Sequence, residues 1–156
     1  MNGRVLSIQI SNGGVPKRPI AFARVTEQGL EGDRQRDLRF HGGPLRAVSL
    51  YSAEAIEALR AEGHPIAPGS AGENLTLLGL DWPRLSPGDL LSFQGGVELE
   101  LTSLAPPCRK LKSLFVGGAV SRISGEKHPG WSRFYAKVLT PGMLVTGADL
   151  RWRSAS

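Results

Sequence analysis

The residues best placed to do chemistry lie in the run Ala105-Pro106-Pro107-Cys108-Arg109-Lys110-Leu111, which sets the chain's only cysteine between two prolines and two cations. Positive charge beside a cysteine favours the thiolate, the form that attacks electrophiles and binds metals, and proline keeps the residue before it out of the helical region. Two readings of Cys108 stand on these residues alone. It is a thiolate presented on a turn, or it is a small apolar residue of the core, since free cysteine is among the most buried residue types.

Two further stretches carry polar groups in unusual density. Gly29-Leu30-Glu31-Gly32-Asp33-Arg34, continuing to Phe40-His41-Gly42-Gly43-Pro44-Leu45-Arg46, combines glycines, cations and a histidine. Glycine lets backbone N–H groups approach an anion closely, and arginine can fork onto a phosphate or carboxylate with two hydrogen bonds. A pair of solvated surface turns would have the same composition. His41, His64 and His128 are far apart and no second cysteine exists, so the spacing of a structural zinc site is absent. In Gly69-Ser70-Ala71-Gly72-Glu73-Asn74-Leu75-Thr76, small residues surround a carboxylate, an amide and a hydroxyl. Asn74 and Thr76 could read the edge of a heterocycle. Equally, Glu73 and Asn74 could tie down their own loop.

The elements that must position these groups are short. With 20 glycines and 11 prolines in 156 residues, most segments between breakers suit strands better than long helices. Strands are expected over residues 4–10, where Leu6, Ile8 and Ile10 alternate with Val5 and Ser7, and over 19–25 and 47–51. One helix is expected from an N-cap at Ser52 to about Glu62, with an apolar face of Ala55, Ile56, Ala58 and Leu59 and a stop at Gly63. A hairpin is expected from 90–93 and 97–102 across Gln94-Gly95-Gly96, and a final pair of strands from 133–139 and 143–152. Many short strands with one or two helices predict a mainly β chain folded as a closed or nearly closed β-barrel.

At 156 residues the chain has the size of one domain with its own core, and no internal repeat or linker interrupts it. A single cysteine excludes an internal disulfide, the N-terminal residues lack the apolar run of a signal peptide, and no apolar stretch approaches the ~20 residues needed to cross a bilayer. A cytoplasmic protein is the expectation. The net charge of +5 points to an anionic partner, but its cations are dispersed and aromatics make up only 6% of the chain. A basic barrel binding single-stranded nucleic acid through stacking aromatics is therefore the weakest of the functional readings.

The order Gly-Leu-Glu-Gly-Asp-Arg, His-Gly-Gly with Arg46 three residues on, Gly-Glu-Asn-Leu-Thr, Gly88-Asp89 and Pro-Cys-x-Lys-Leu closely resembles the MOSC domains, named for the C-terminal domain of molybdenum cofactor sulfurase. The resemblance runs from about Val15 to Asp149 and includes Phe134-Tyr135 leading into Val138-Leu139. It is strongest to the stand-alone bacterial proteins implicated in hydroxylaminopurine resistance, relatives of the mitochondrial amidoxime reducing component. Residues 116–131 have no counterpart in that pattern, and Gly147-Ala148-Asp149 carries one residue more than the Gly-Asp of many relatives.

The resemblance implies a MOSC-type β-barrel that binds the molybdenum cofactor, a pterin whose dithiolene holds the metal and whose tail ends in phosphate. Cys108 matches the family's thiolate ligand to molybdenum. Lys17, Arg46 and Arg34 would clamp the phosphate, and Glu73, Asn74 and Thr76 would face the pterin; Arg109 and Lys110 would favour the ionised form of Cys108, and with His41 they are counted among the cofactor-binding residues. The implied activity is reduction of N-hydroxylated compounds such as hydroxylaminopurines or amidoximes. No flavin, iron–sulfur or haem segment is present, so electrons would come from a separate protein. The rival within enzymology is a sulfur carrier acting through a Cys108 persulfide.

Overall fold

The computed structural model describes residues 2–13, 15–34 and 43–156, and His41 lies outside them. The first strand, β1 (Asn2–Ile10), lies at the seam of the fold. Later come β5 (Val48–Ser52), β6 (Leu75–Leu78), β7 (Leu90–Phe93), β8 (Glu98–Ala105), β9 (Arg133–Thr140) and β11 (Asp149–Arg153). These seven pair in the order β11-β7-β8-β9-β5-β6-β1, and β1 pairs back onto β11, so the sheet closes on itself. The predicted barrel is therefore present and closed. Outside it, β2 (Arg18–Ile20) adds to β1, and β3 (Phe22–Thr26), β4 (Gly29–Leu30) and β10 (Gly142–Val145) make a separate sheet in the order β10-β3-β4.

Every named pairing is antiparallel except β5 with β6. Parallel neighbours need a crossover, and the helix α1 (Ala53–Ala61) supplies it. Ser52 caps this helix, its Oγ accepting from the Ala55 N–H at 3.0 Å, a contact worth about 1 kcal/mol. Ala55, Ile56 and Leu59 face the barrel, and Gly63 at φ 98° turns the chain away. The buried apolar residues form one cluster, with Val5, Ile8, Leu50, Leu75, Leu77, Leu91, Leu99 and Leu101 all at its centre. No helix among the described residues is long and apolar enough to cross a membrane.

Three expectations need correction. The alternation in β1 placed Leu6 with Ile8, but a register shift between Val5 and Ser7 inserts an extra residue, so Val5 and Ile8 are buried while Leu6 is 43% exposed. Residues 19–25 are two strands rather than one, because β2 pairs with β1 and β3 pairs with β10 in the other sheet. Residues 143–152 likewise divide into β10 and β11 at a turn in which Gly147 takes φ 91°, and the two do not form a pair with β9. The Gly147 N–H then bonds the Val5 carbonyl at 2.8 Å, which delivers β11 to the seam with β1. Strand β8 also runs on to Ala105, with a second register shift between Leu101 and Ser103, and so leads directly into the cysteine loop.

Candidate functional site

Two consecutive prolines begin the cysteine loop, and neither has an N–H to donate. Its anchorage therefore runs through carbonyls. The Ala105 carbonyl accepts from Ser132 Oγ at 3.3 Å, the Pro106 carbonyl from Arg133 Nη2 at 2.7 Å, and the Cys108 carbonyl from the Leu111 N–H at 2.9 Å. Cys108 is free, half-buried, and the residue before the 3₁₀ turn Arg109–Leu114. Leu111 is buried beneath that turn, and Arg109 and Lys110 are exposed on it. Cys108 is thus partly buried, packed against the edge of the core cluster.

Strand β9 organises the surroundings of this loop. Arg133 and Tyr135 are two residues apart and share one face of the strand, with Ser49 of β5 and Ser103 of β8 in register beside Tyr135. The Arg46 guanidinium lies 5.4 Å from the centre of the Tyr135 ring, a cation–π distance. The Tyr135 phenol is held above its ordinary range, chiefly by burial. The charges of Arg133 and Arg46 oppose that rise and the sulfur of Cys108 adds to it. Sequence reasoning singled out Cys108 and Arg46 but passed over Arg133, whose only signal was a cation opening a strand, and Tyr135, noted only as part of an aromatic pair.

Glu73, Asn74 and Thr76 are brought together, but with no exposed surface. Asn74 Nδ2 donates to the Gln9 carbonyl at 3.2 Å and to Asp33 Oδ2 at 2.9 Å, and its Oδ1 accepts from the Ser49 N–H at 3.1 Å. Thr76 Oγ1 donates to Glu73 Oε2 at 3.0 Å and accepts from Gln9 Nε2 at 3.1 Å. In this arrangement they tie down their own loop and its neighbours. Glu73 Oε1 is buried with no well-formed hydrogen bond among the described residues, and burial pushes the carboxyl above its usual range, opposed by nearby backbone N–H groups, the Thr76 hydroxyl and the charge of Arg133.

Lys17 belongs to the same cluster. Its Nζ meets Asp33 Oδ1 at 2.7 Å and Oδ2 at 2.8 Å, with both side chains almost wholly buried. The Ser11 N–H adds a third donor to Asp33 at 2.9 Å. Asp33 stood inside a quoted motif without a role; the clue was a carboxylate among glycines, able to face a cation brought from another segment. Arg34 is exposed, and its N–H bonds the Ser11 carbonyl at 2.8 Å.

The segment that follows the cysteine, unplaced from sequence, folds back onto α1. Arg122 makes a two-point pair with Glu62, at 2.6 Å and 2.9 Å, while its guanidinium lies 4.0 Å from the Trp131 ring centre. That pair holds the Glu62 carboxyl below its ordinary value. His64 Nδ1 accepts the Val116 N–H at 3.0 Å, Tyr51 Oη donates to the Trp131 carbonyl at 2.7 Å, and Ile123 is fully buried.

The fold and site define a closed β-barrel with a free thiol at one end, set among cations and backed by a buried polar cluster. The family model described as the MOSC domain matches residues 37–151, and the chain belongs to that family. The chain is 33% identical over 139 residues to the uncharacterized protein YflK of Bacillus subtilis (strain 168), covering 88% of this chain and 62% of YflK. It is 31% identical over 147 residues to protein YiiM of Escherichia coli (strain K12), covering 85% of this chain and 63% of YiiM. It thus spans about three fifths of the length of these curated relatives. A Gibberella moniliformis protein named "Reductase" is 31% identical over 112 residues, which are 69% of this chain and 19% of that protein. Among solved structures, YuaD from Bacillus subtilis has a TM-score of 0.79 at 19% identity, covering 100% of this chain and 98% of YuaD, a likeness of fold alone.

Proposed function

We propose that this MOSC protein binds the molybdenum cofactor through Cys108 and reduces N-hydroxylated compounds of the hydroxylaminopurine or amidoxime kind. The observation that carries the reading is a free, half-buried cysteine whose loop is held by Arg133 at the Pro106 carbonyl, with the Arg46 guanidinium over the ring of Tyr135 on the same strand as Arg133. The donor set suits such a group. A thiolate is a soft ligand appropriate to that metal, and guanidinium and ammonium groups suit a terminal phosphate. Among the described residues no three His, Cys, Asp or Glu side chains gather to hold a bare ion, so a metal joined to Cys108 would bring its other ligands with it, as a dithiolene does.

When bound, the cofactor would supply two-electron chemistry that accepts an oxygen atom. Overall, one N–O bond breaks, two electrons and two protons enter, and the products are the reduced nitrogen compound and water. Cys108 would hold the metal, and Arg46, Arg109 and Lys110 would face the phosphate. Burial keeps the phenolic proton on Tyr135 at neutral pH. Lys17, Glu73, Asn74 and Thr76 act from behind, fixing the loops that carry the site. A separate flavin, iron–sulfur or haem protein would return the electrons. The likeness to a protein named reductase supports this class of chemistry.

Cys108→Ala separates folding from function. Removing a small half-buried sulfur should cost no more than about 1 kcal/mol of stability, whereas losing a metal's ligand should abolish turnover. Circular dichroism and reduction of a hydroxylamine by a chemical donor measure the two. A folded alanine variant with full activity would refute the proposal. An extra sulfur atom on Cys108 after incubation with a desulfurase and cysteine, read by intact mass, would favour the persulfide carrier instead.

A further inference from the structure

Arg133 is buried to 7% exposure, and its two terminal nitrogens bond carbonyls of two different loops. Nη1 donates to the Ala71 carbonyl at 2.9 Å and Nη2 to the Pro106 carbonyl at 2.7 Å. Ala71 stands two residues before Glu73, and Pro106 two residues before Cys108. The Pro106-Pro107 pair contributes no N–H to any neighbour, so the guanidinium is a principal constraint on where the loop places the sulfur. Arginine is always charged and its fork is planar, so one side chain fixes two acceptors at a set separation. The remaining Arg133 nitrogen, Nε, and Glu73 Oε1 are both buried without a hydrogen-bond partner among the described residues. Such groups are rarely left in a fold without a reason of position or function.

We infer that Arg133 is a positioning residue for Cys108: its fork straps the cysteine loop to the 69–74 loop and sets how far the sulfur is presented. This rests on the reading of Cys108 as the reactive centre. Arg133 acts through the Pro106 carbonyl and touches neither metal nor substrate.

The test uses the full chain expressed in a host that makes no cofactor, so its outcome is separate from that of molybdenum binding. Because Cys108 is the only cysteine, iodoacetamide alkylation followed by intact mass reads that sulfur alone. Measured at alkaline pH, Arg133→Met should raise the alkylation rate roughly tenfold, the factor expected when a charge-assisted hydrogen bond to a loop is lost. Hydrogen exchange at the Leu111 amide, bonded to the Cys108 carbonyl, should accelerate with it. Arg133→Lys keeps the charge without the fork and should also fail to restore the wild-type rate. Leu150→Ala, a core truncation in β11, should leave the rate unchanged and so controls for general loosening. Should the methionine variant not fold, the lysine variant decides. Wild-type alkylation and exchange in a folded Arg133 variant, or an equal rise in Leu150→Ala, would overturn the inference. If the strap fails while molybdenum still binds, the proposed function stands; if the strap holds and no molybdenum binds, Arg133 positions a thiol with another use.

Discussion

Glu73 has no exposed surface, with one oxygen bonded to Thr76 and the other making no well-formed hydrogen bond among the described residues. Its folded-state pKa is raised above the ordinary 4.5, with burial the leading cause. A group raised in this way contributes stability that is complete below its unfolded value and is lost as pH climbs through its folded value. Wild-type stability should therefore fall from about pH 4.5 upward by at most about 1.4 kcal/mol per pH unit until the raised value is passed. Glu73→Gln should remove that slope in urea melts taken across the window. An unchanged slope would show that Glu73 is not the titrating group. Lys17 makes a contrasting prediction. Lys17→Met keeps the packing but leaves Asp33 as a buried charge with the Ser11 and Asn74 donors among the described residues, a loss of about 3–5 kcal/mol. Chemical denaturation giving less than about 1 kcal/mol, the scale of an exposed pair, would return Lys17 to the role of a phosphate clamp.

At the scale of elements, α1 does more than prop the barrel. It provides the crossover for the parallel pair β5 and β6, and just beyond its end Glu62 and His64 hold the segment that follows the cysteine. Arg122→Ala removes both the pair to Glu62 and the stack on Trp131. Amides of residues 116–124 should exchange faster with little change in the melting temperature; unchanged exchange would show that Ile123 burial alone seats the segment. The Glu62 contribution has the opposite sign from that of Glu73. Its pKa is lowered by Arg122, so the latch is complete above the ordinary 4.5 and loosens as pH falls through the folded value. The helix was readable from sequence because its cap, apolar face and terminal glycine are all local. The latch was not, because Glu62 and Arg122 are sixty residues apart and the pairing exists only once the chain has folded.

Across the whole molecule, closure of the barrel follows from contacts with the longest sequence separation, β1 with β11. Turn-delimited strands along the chain gave the architecture, while the breaks at Ala21 and Gly147 depended on which sheet each strand joins. The same divide runs through the site. Cys108, with its cations, could be picked out because its neighbours in sequence are also its neighbours in space. Arg133 and Asp33 could not, since each meets its partners across strands. What the Cys108 sulfur binds decides the function. Molybdenum content of the chain purified from a host that makes the cofactor, with hydroxylamine reduction by a chemical donor measured on the same sample, tests this most directly. Stoichiometric molybdenum is expected, with turnover in proportion to it. A folded chain with molybdenum far below stoichiometric and no reduction would contradict it.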